Sequence, residues 1–419
     1  MTDQTSRRSP RWSLIGPGIV VAATGVGAGD LIATLIAGSR FGYALLWAAV
    51  VGTVLKIALA EGVGRWSLAS GRTMFDGWSS LPGGVGRVNW ATAYFGVYVV
   101  LWGFVYGGAA MTAAALPLAT LMPVLDLKAW GILSGVLGLI LVWFGGYGLF
   151  EKIMTALVGV MFVTVVGLAV IVTPDLPSLL RGAWPTFPEG SLFYTLGLIG
   201  GVGGTITIAA YGYWLRAKGW GGAEWMGVMR LDNRVAYAVT GVFVVAMLIV
   251  GAELLHAGGV ALQSGDRGLL DLGAVLEDRF GRPIAVAFLV GFWATSFSSL
   301  IGVWQGVSLL FGDFWAHMRG RPEADGVRAD GGPAFRAYAL WLTFPPMLLL
   351  FMDRPFALII AYGALGALFM PFLAGTLLWL LNSSRTPAEW RSGWLSNTLL
   401  TAAALLFAAL AARELIGLF

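Results

Sequence analysis

GPGIVVAATGVGAGDLIATLIAG, residues 16–38, is an apolar run long enough to cross a bilayer, yet Gly25, Gly27 and Gly29 crowd its middle and lead directly to Asp30. A second run, GLIGGVGGTITIAAYGYWLRA at 197–217, has the same character, with Gly200, Gly201, Gly203, Gly204 and Gly212. Clusters of this kind interrupt a helix, and an interruption frees backbone N–H and C=O groups that lipid cannot satisfy. Such backbone is tolerated only where it is buried in protein or lines a cavity. Paired interrupted spans at corresponding places in two halves point to an inverted-repeat transporter whose site lies at the breaks. The same glycines would also serve plain close packing of helices. Asp30 tips the balance, because a carboxylate in mid-span marks an ion path, a proton relay, a buried pair or the cap of a broken half-helix.

Composition agrees with a membrane bundle. Of 419 residues, 58% are apolar and 11% charged, against about 45–50% and about 25% in ordinary soluble domains. The 60 glycines suit close-packed membrane helices better than soluble ones, where each costs about 1 kcal/mol relative to alanine. The absence of cysteine excludes disulfides and thiolate metal sites, and His256 and His317, the two histidines, form no zinc motif. Apolar stretches predict about eleven spans, at 14–38, 44–64, 90–118, 129–146, 151–173, 192–216, 234–257, 283–311, 335–352, 356–381 and 395–417. Residues 262–282 read as a short amphipathic helix outside the membrane, and Glu253 and His256 as interfacial residues at a span end. The expected fold class is an all-α membrane protein.

The net charge of +4 is spread over loops and signals topology, not nucleic acid. With the N-terminus cytoplasmic, seventeen Lys and Arg residues fall on the cytoplasmic side and eight on the other. That positive-inside bias places the chain in the cytoplasmic (inner) membrane with Phe419 outside. The basic N-terminal segment reads as the flank of a retained first span and not as a signal peptide. No soluble domain interrupts the pattern; residues 313–336 read as a cytoplasmic loop, so neither an enzyme nor a cofactor is expected. Lys56, Glu61 and Arg65 lie toward the cytoplasmic end of span two and are expected to form a gating or structural ion pair, the long basic side chains being able to snorkel.

The segments GPG at Gly16–Gly18, ATG at Ala23–Gly25 and AG…FGYALLW from Ala37 to Trp47 resemble the opening of the Nramp family (natural resistance-associated macrophage proteins) of divalent-metal transporters. Gly204–Thr205, the Tyr213-x-Leu215 region and Pro371 fall where family features would fall. The resemblance implies a leucine-transporter-type inverted repeat (5+5) with broken helices one and six: a first repeat over 1–175, a second over 190–382, and an additional helix over 395–419. It also implies a substrate site from Gly27, Ala28, Gly29 and Asp30 of span one and Thr207, Ile208, Ala209 and Tyr211 of span six.

The family's metal ligands do not carry over. Where the family has Asp-Pro-Gly-Asn this chain has Gly27-Ala28-Gly29-Asp30, and Ile208-Ala209-Ala210 stands where a Met-Pro-His stretch is expected. The third span, GFVYGGAAM at 103–111, lacks acidic residues, and Gly363 and Phe369 occupy the places of a tenth-span glutamine. Loss of the thioether and of the leading carboxylate, with a lone Asp30 where the family has Asn, favours a hard cation held by oxygen, Mg²⁺ or Mn²⁺, over a soft transition metal. The expectation is a secondary transporter in a lipid bilayer, with Asp30 as metal ligand, a small cationic substrate, and no use of the family's proton-coupled scheme. An organic or monovalent cation facing Tyr211, Tyr213 and Trp214 is the first alternative, and a sensor or scaffold without transport the second.

Overall fold

The computed structural model describes residues 16–201, 203–256, 266–320, 331–352 and 355–416. Among them there are no strands, only an isolated bridge between Val85 and Val88 in a surface hairpin. The first span is two helices, α1 (Pro17–Gly25) and α2 (Ala28–Phe41). Pro17 opens α1 at the position where a missing N–H has no consequence, and Val26, in extended conformation, ends it. Next come α3 (Leu46–Ser70) and the short α4 (Met74–Ser79), then the long α5 (Trp90–Leu121). Gly71, at φ 65°, stops α3 in the left-handed region. Reciprocal capping boxes start the next two helices, Thr73 with Asp76 for α4 and Asn89 with Thr92 for α5. Helices α6 (Leu127–Phe144) and α7 (Tyr147–Ile171) follow, with α8 (Leu176–Gly182) in the connection to the second half.

The sixth span is again in pieces: α9 (Leu192–Gly201), a 3₁₀ turn (Ile206–Ala210) and α10 (Tyr211–Ala217). The chain continues through α11 (Met226–Gly251), a π-helical turn (Ala252–His256), α12 (Asp266–Phe280) and α13 (Arg282–Met318). It ends with α14 (Pro333–Thr343), which tightens into a 3₁₀ segment (Pro345–Met352) at two consecutive prolines, then α15 (Pro355–Asn382) and α16 (Trp394–Ile416). Eight helical segments are long and apolar enough to cross a membrane by themselves. The two interrupted spans and α15 supply the remaining apolar lengths counted in the sequence.

Three span boundaries differ instructively from expectation. Helix α11 begins at Met226, not 234, because Asp232 and Asn233 are fully buried and find partners inside the bundle. Helix α3 runs on past Glu61 and Arg65 to Ser70, and α13 continues to Met318. The amphipathic segment is present as α12, its first residues, 262–265, lying outside the described set. Residues 321–330 of the long polar loop also lie outside it.

The half-helix α1 sits at the centre, packed on α11, α13 and α7, while α2 packs on α11 and α9. Helix α3 lies against α11, α9 and α16. Both breaks therefore face protein on several sides, as irregular backbone at membrane depth requires.

Candidate functional site

The two breaks touch. A Cβ on Gly25 would lie 2.2 Å from the Gly203 carbonyl carbon, and Gly204 presses on the Gly25 backbone from the other side. Gly203 and Gly204 have φ of 74° and 93°, a region that residues with a Cβ enter only under strain. The glycines thus do both jobs weighed from the sequence: they let the chain turn out of helix and they let two backbones meet.

Breaking the helices frees carbonyls, and side chains from three other helices are aimed at them. Ser299 of α13 donates to Thr24 O at 2.9 Å and is itself within 2.9 Å of the Tyr106 hydroxyl of α5. Tyr237 of α11 donates to Gly203 O at 3.2 Å. Lys56 of α3 donates from Nζ to Gly204 O. Thr207, 2% exposed, has no hydrogen-bond partner for its hydroxyl among the described residues, and a Cβ on Gly204 would fall 2.7 Å from that oxygen. The site is consequently an oxygen-lined junction with one ammonium inserted and one hydroxyl uncommitted.

Gly27 is buried between α1 and α2, and its carbonyl accepts from Leu31 N at 3.2 Å. The backbone of Ala28, Gly29 and Asp30 forms the first turn of α2. The Asp30 side chain lies outside the described residues, as does the environment of Gly363 in α15. Ile208 and Ala209 are fully buried in the 3₁₀ turn beside Thr207, so the six-span element brings Thr207, Ile208 and Ala209 to the break together. Tyr211 is drawn off. Its hydroxyl donates to Asp232 Oδ2 at 2.9 Å, 0% exposed. Tyr213 donates to Asp313 at 2.6 Å, and Trp214 Nε1 donates to Gln305. These rings are anchored in packing around α10 and do not form an aromatic box.

The expected grouping of Lys56 with Glu61 and Arg65 separates into two parts. Glu61 pairs with Arg65 at 3.2 Å and with Arg230 of α11 at 3.0 Å. Arg65 reaches on to Ser396 at 2.7 Å and to the Trp390 carbonyl, tying α3 to the start of α16. Lys56 instead points into the junction and is fully buried; neither it nor Arg65, 3% exposed, snorkels. The geometric reason is depth: Lys56 is the eleventh residue of the 25 in α3, too far from either end for its stem to reach water past α9 and α16.

At the N-terminal end of α1, Asp232 does the work. Its two oxygens accept from Gly16 N at 2.9 Å and Gly18 N at 2.6 Å. A carboxylate there satisfies orphan amides and meets the positive end of the helix dipole. Lys218, just past α10, bonds Glu151 of α7 at 2.6 Å beside the same end. Sequence reading missed Asp232, Ser299, Tyr106 and Tyr237; the signal for the first was a carboxylate in MRLDNR at 229–234, which resembles an ordinary polar flank. At the opposite end, Tyr43 donates to Glu253 at 2.6 Å. Burial, then the Glu253 carboxylate, push that phenol upward in pKa. Glu253 therefore serves as an acceptor between the α2–α3 turn and the π-helical turn.

The natural resistance-associated macrophage protein-like family matches the chain over residues 18–417. The chain belongs to the Nramp family. Among its Nramp relatives is the divalent metal cation transporter MntH of Mycobacterium tuberculosis, 28% identical over 319 residues, 72% of this chain and 70% of that one. MntH of Mycobacterium leprae is 26% identical over 321 residues, again 72% of this chain and 71% of the relative. In structure the Nramp chain is similar to the manganese transporter of Eremococcus coleocola, with a TM-score of 0.78 at 15% identity, covering 100% of this chain and 90% of the other. A nucleobase-cation-symport-1 family transporter also superposes, with a TM-score of 0.58 at 16% identity over 96% of this chain and 92% of that one. The fold is thus the leucine-transporter type, all-helical, with spans one and six broken. The family is one of integral membrane transporters of divalent metal cations, and not of enzymes.

Proposed function

We propose that this Nramp protein is a secondary transporter that carries a hard divalent cation, Mg²⁺ or Mn²⁺, through a site at the junction of its two broken spans. The observation that carries the reading is the junction itself: oxygen donors from the Gly204 carbonyl and the uncommitted Thr207 hydroxyl, with Ile208 and Ala209 beside them and no Met or Cys in the break segments 24–30 and 203–211. Asp30, in the first turn of α2 directly after the break, is the carboxylate we assign to the substrate. Among the described residues no group of three or more His, Asp or Glu side chains could hold an ion. A substrate with retained waters fits such a sparse set better than one demanding a full protein cage, and Mg²⁺ keeps several waters in most of its sites. The names of the relatives, divalent metal cation transporters and a manganese transporter, agree with the charge class.

Uptake of Mn²⁺ and of Mg²⁺ into proteoliposomes tests the reading. The native chain is expected to accumulate at least one of the two, Asp30→Ala to lose at least tenfold of that rate, and the vesicle interior to keep its pH during uptake. Uptake of neither ion, or full activity in the alanine variant, overturns the substrate assignment, and substrate-driven acidification overturns the claim of a mechanism without the family's proton coupling. The organic-cation alternative loses support, because Tyr211, Tyr213 and Trp214 are fixed by Asp232, Asp313 and Gln305.

A further inference from the structure

The placement of Lys56 is not explained by the cation-carrier reading. An ammonium with 0% exposure loses its hydration, and burying a charge is tolerated only with close compensation. Here that compensation includes a carbonyl released by the break in span six, Gly204 O. The Phe407 ring of α16, whose centroid is 5.3 Å from Nζ, offers its negative face as well. A carbonyl oxygen freed at a helix break is also what a hard divalent cation takes as a ligand. The side chain reaches this place from a separate helix, α3, on four flexible methylene groups.

We propose that Lys56 is a tethered competitor of the substrate: its ammonium holds the Gly204 carbonyl in the empty carrier, and a divalent cation binds at the junction only as that ammonium withdraws. The inference rests on the cation-carrier reading above and assigns a specificity-determining role within it. Like charges repel strongly at contact distance inside protein, so occupancy of the Gly204 carbonyl by Lys56 and occupancy by a dication exclude one another. The consequence is a carrier whose affinity is set low by its own side chain, and whose unloaded junction is never without a positive charge. A purely structural tether makes the opposite demand, since removing it loosens the junction and weakens any ligand there.

The test uses the full-length protein in nanodiscs with Mn²⁺ as the probe, measured by calorimetry. Lys56→Met keeps the length and volume and removes the charge; it is expected to bind Mn²⁺ at least tenfold more tightly than the native chain, whereas Lys56→Arg stays within about threefold of native. Binding no tighter in a Lys56→Met protein of native thermal stability overturns the proposal. Binding by Lys56→Met alone upholds it. Equal binding by native and Lys56→Met overturns this inference while leaving the carrier reading intact; binding by neither removes both. If Lys56→Met does not fold, Lys56→Ala with added propylammonium decides, because that amine replaces the deleted atoms. Thermal stabilisation by propylammonium but not propanol, reversed by Mn²⁺, supports the competition, and its absence overturns it.

Discussion

Asp232 holds the first half-helix by its amino end. Gly16 N, Gly18 N and the Tyr211 hydroxyl all donate to one fully buried carboxylate, so α1, α10 and α11 are tied at a single point. Hydrogen bonds to a charged group contribute about 1.5–3 kcal/mol each, set against the cost of burying the carboxylate, and three converge on this one residue. In Asp232→Asn one amide-facing oxygen becomes an N–H₂ that opposes the Gly16 or Gly18 amide. The expected outcome is a loosened α1, seen as thiol labelling of a Val20→Cys reporter, a position with 0% exposure. The absence of native cysteine makes that reporter free of background. Labelling should quicken at least tenfold in the asparagine variant; an unchanged rate would show that packing alone holds α1. At this scale the sequence was least legible. A carboxylate, a serine and two tyrosines become site residues only through partners 21 to 275 positions away, and no local pattern encodes such pairings. Lys56 was visible as an intramembrane charge, but its direction was not, because Glu61 and Arg65 stood nearer in sequence than Gly204.

The breaks, by contrast, could be read from glycine spacing alone. The interruption at Val26–Gly27 and the one from Gly203 to Thr205 both fall inside the clusters that the sequence singles out, since local backbone freedom is a local property. Their contact with each other is a tertiary fact, and it makes Gly204 more than a turn residue. Its φ of 93° and the 3.0 Å approach of its would-be Cβ to the Gly25 Cα leave no room for a side chain. Strained backbone of this kind costs about 1–3 kcal/mol, and the clash adds to it. Gly204→Ala should therefore displace the carbonyl that Lys56 holds and separate the two breaks. The expected result is a fall in melting temperature of several degrees together with loss of cation uptake. Gly159→Ala, in a helix with nothing near its Cβ, should leave both unchanged and serves as the control. Native uptake and stability in Gly204→Ala would mean that the junction tolerates a shift its geometry forbids.

Across the whole molecule the proposed repeats, 1–175 and 190–382, each carry one broken span at their start, and α16 packs beside the pair against α3, α9 and α15. Arg65, reaching Ser396 and Trp390, ties that added helix to the first repeat, and Phe407 places it against Lys56. Helix α16 is accordingly part of the junction's wall. Two such repeats with opposite orientation fix the sidedness of every loop once one loop is known. Charge supplies that loop: basic residues crowd the connection between α3 and α5, with Arg72 and Arg87, and are absent from the one between α5 and α6, residues 122–126. By the positive-inside bias we propose that the first faces the cytoplasm and the second does not. Val124, 80% exposed in the second loop, and Arg72, exposed in the first, make the comparison in a chain with no cysteine of its own. A membrane-impermeant maleimide applied to intact cells should label Val124→Cys and spare Arg72→Cys, and lysis should expose the latter. The reverse pattern would invert the carrier, placing Asp232 and its hold on α1 at the outer face, so that the labelling result decides which end of the junction that carboxylate closes.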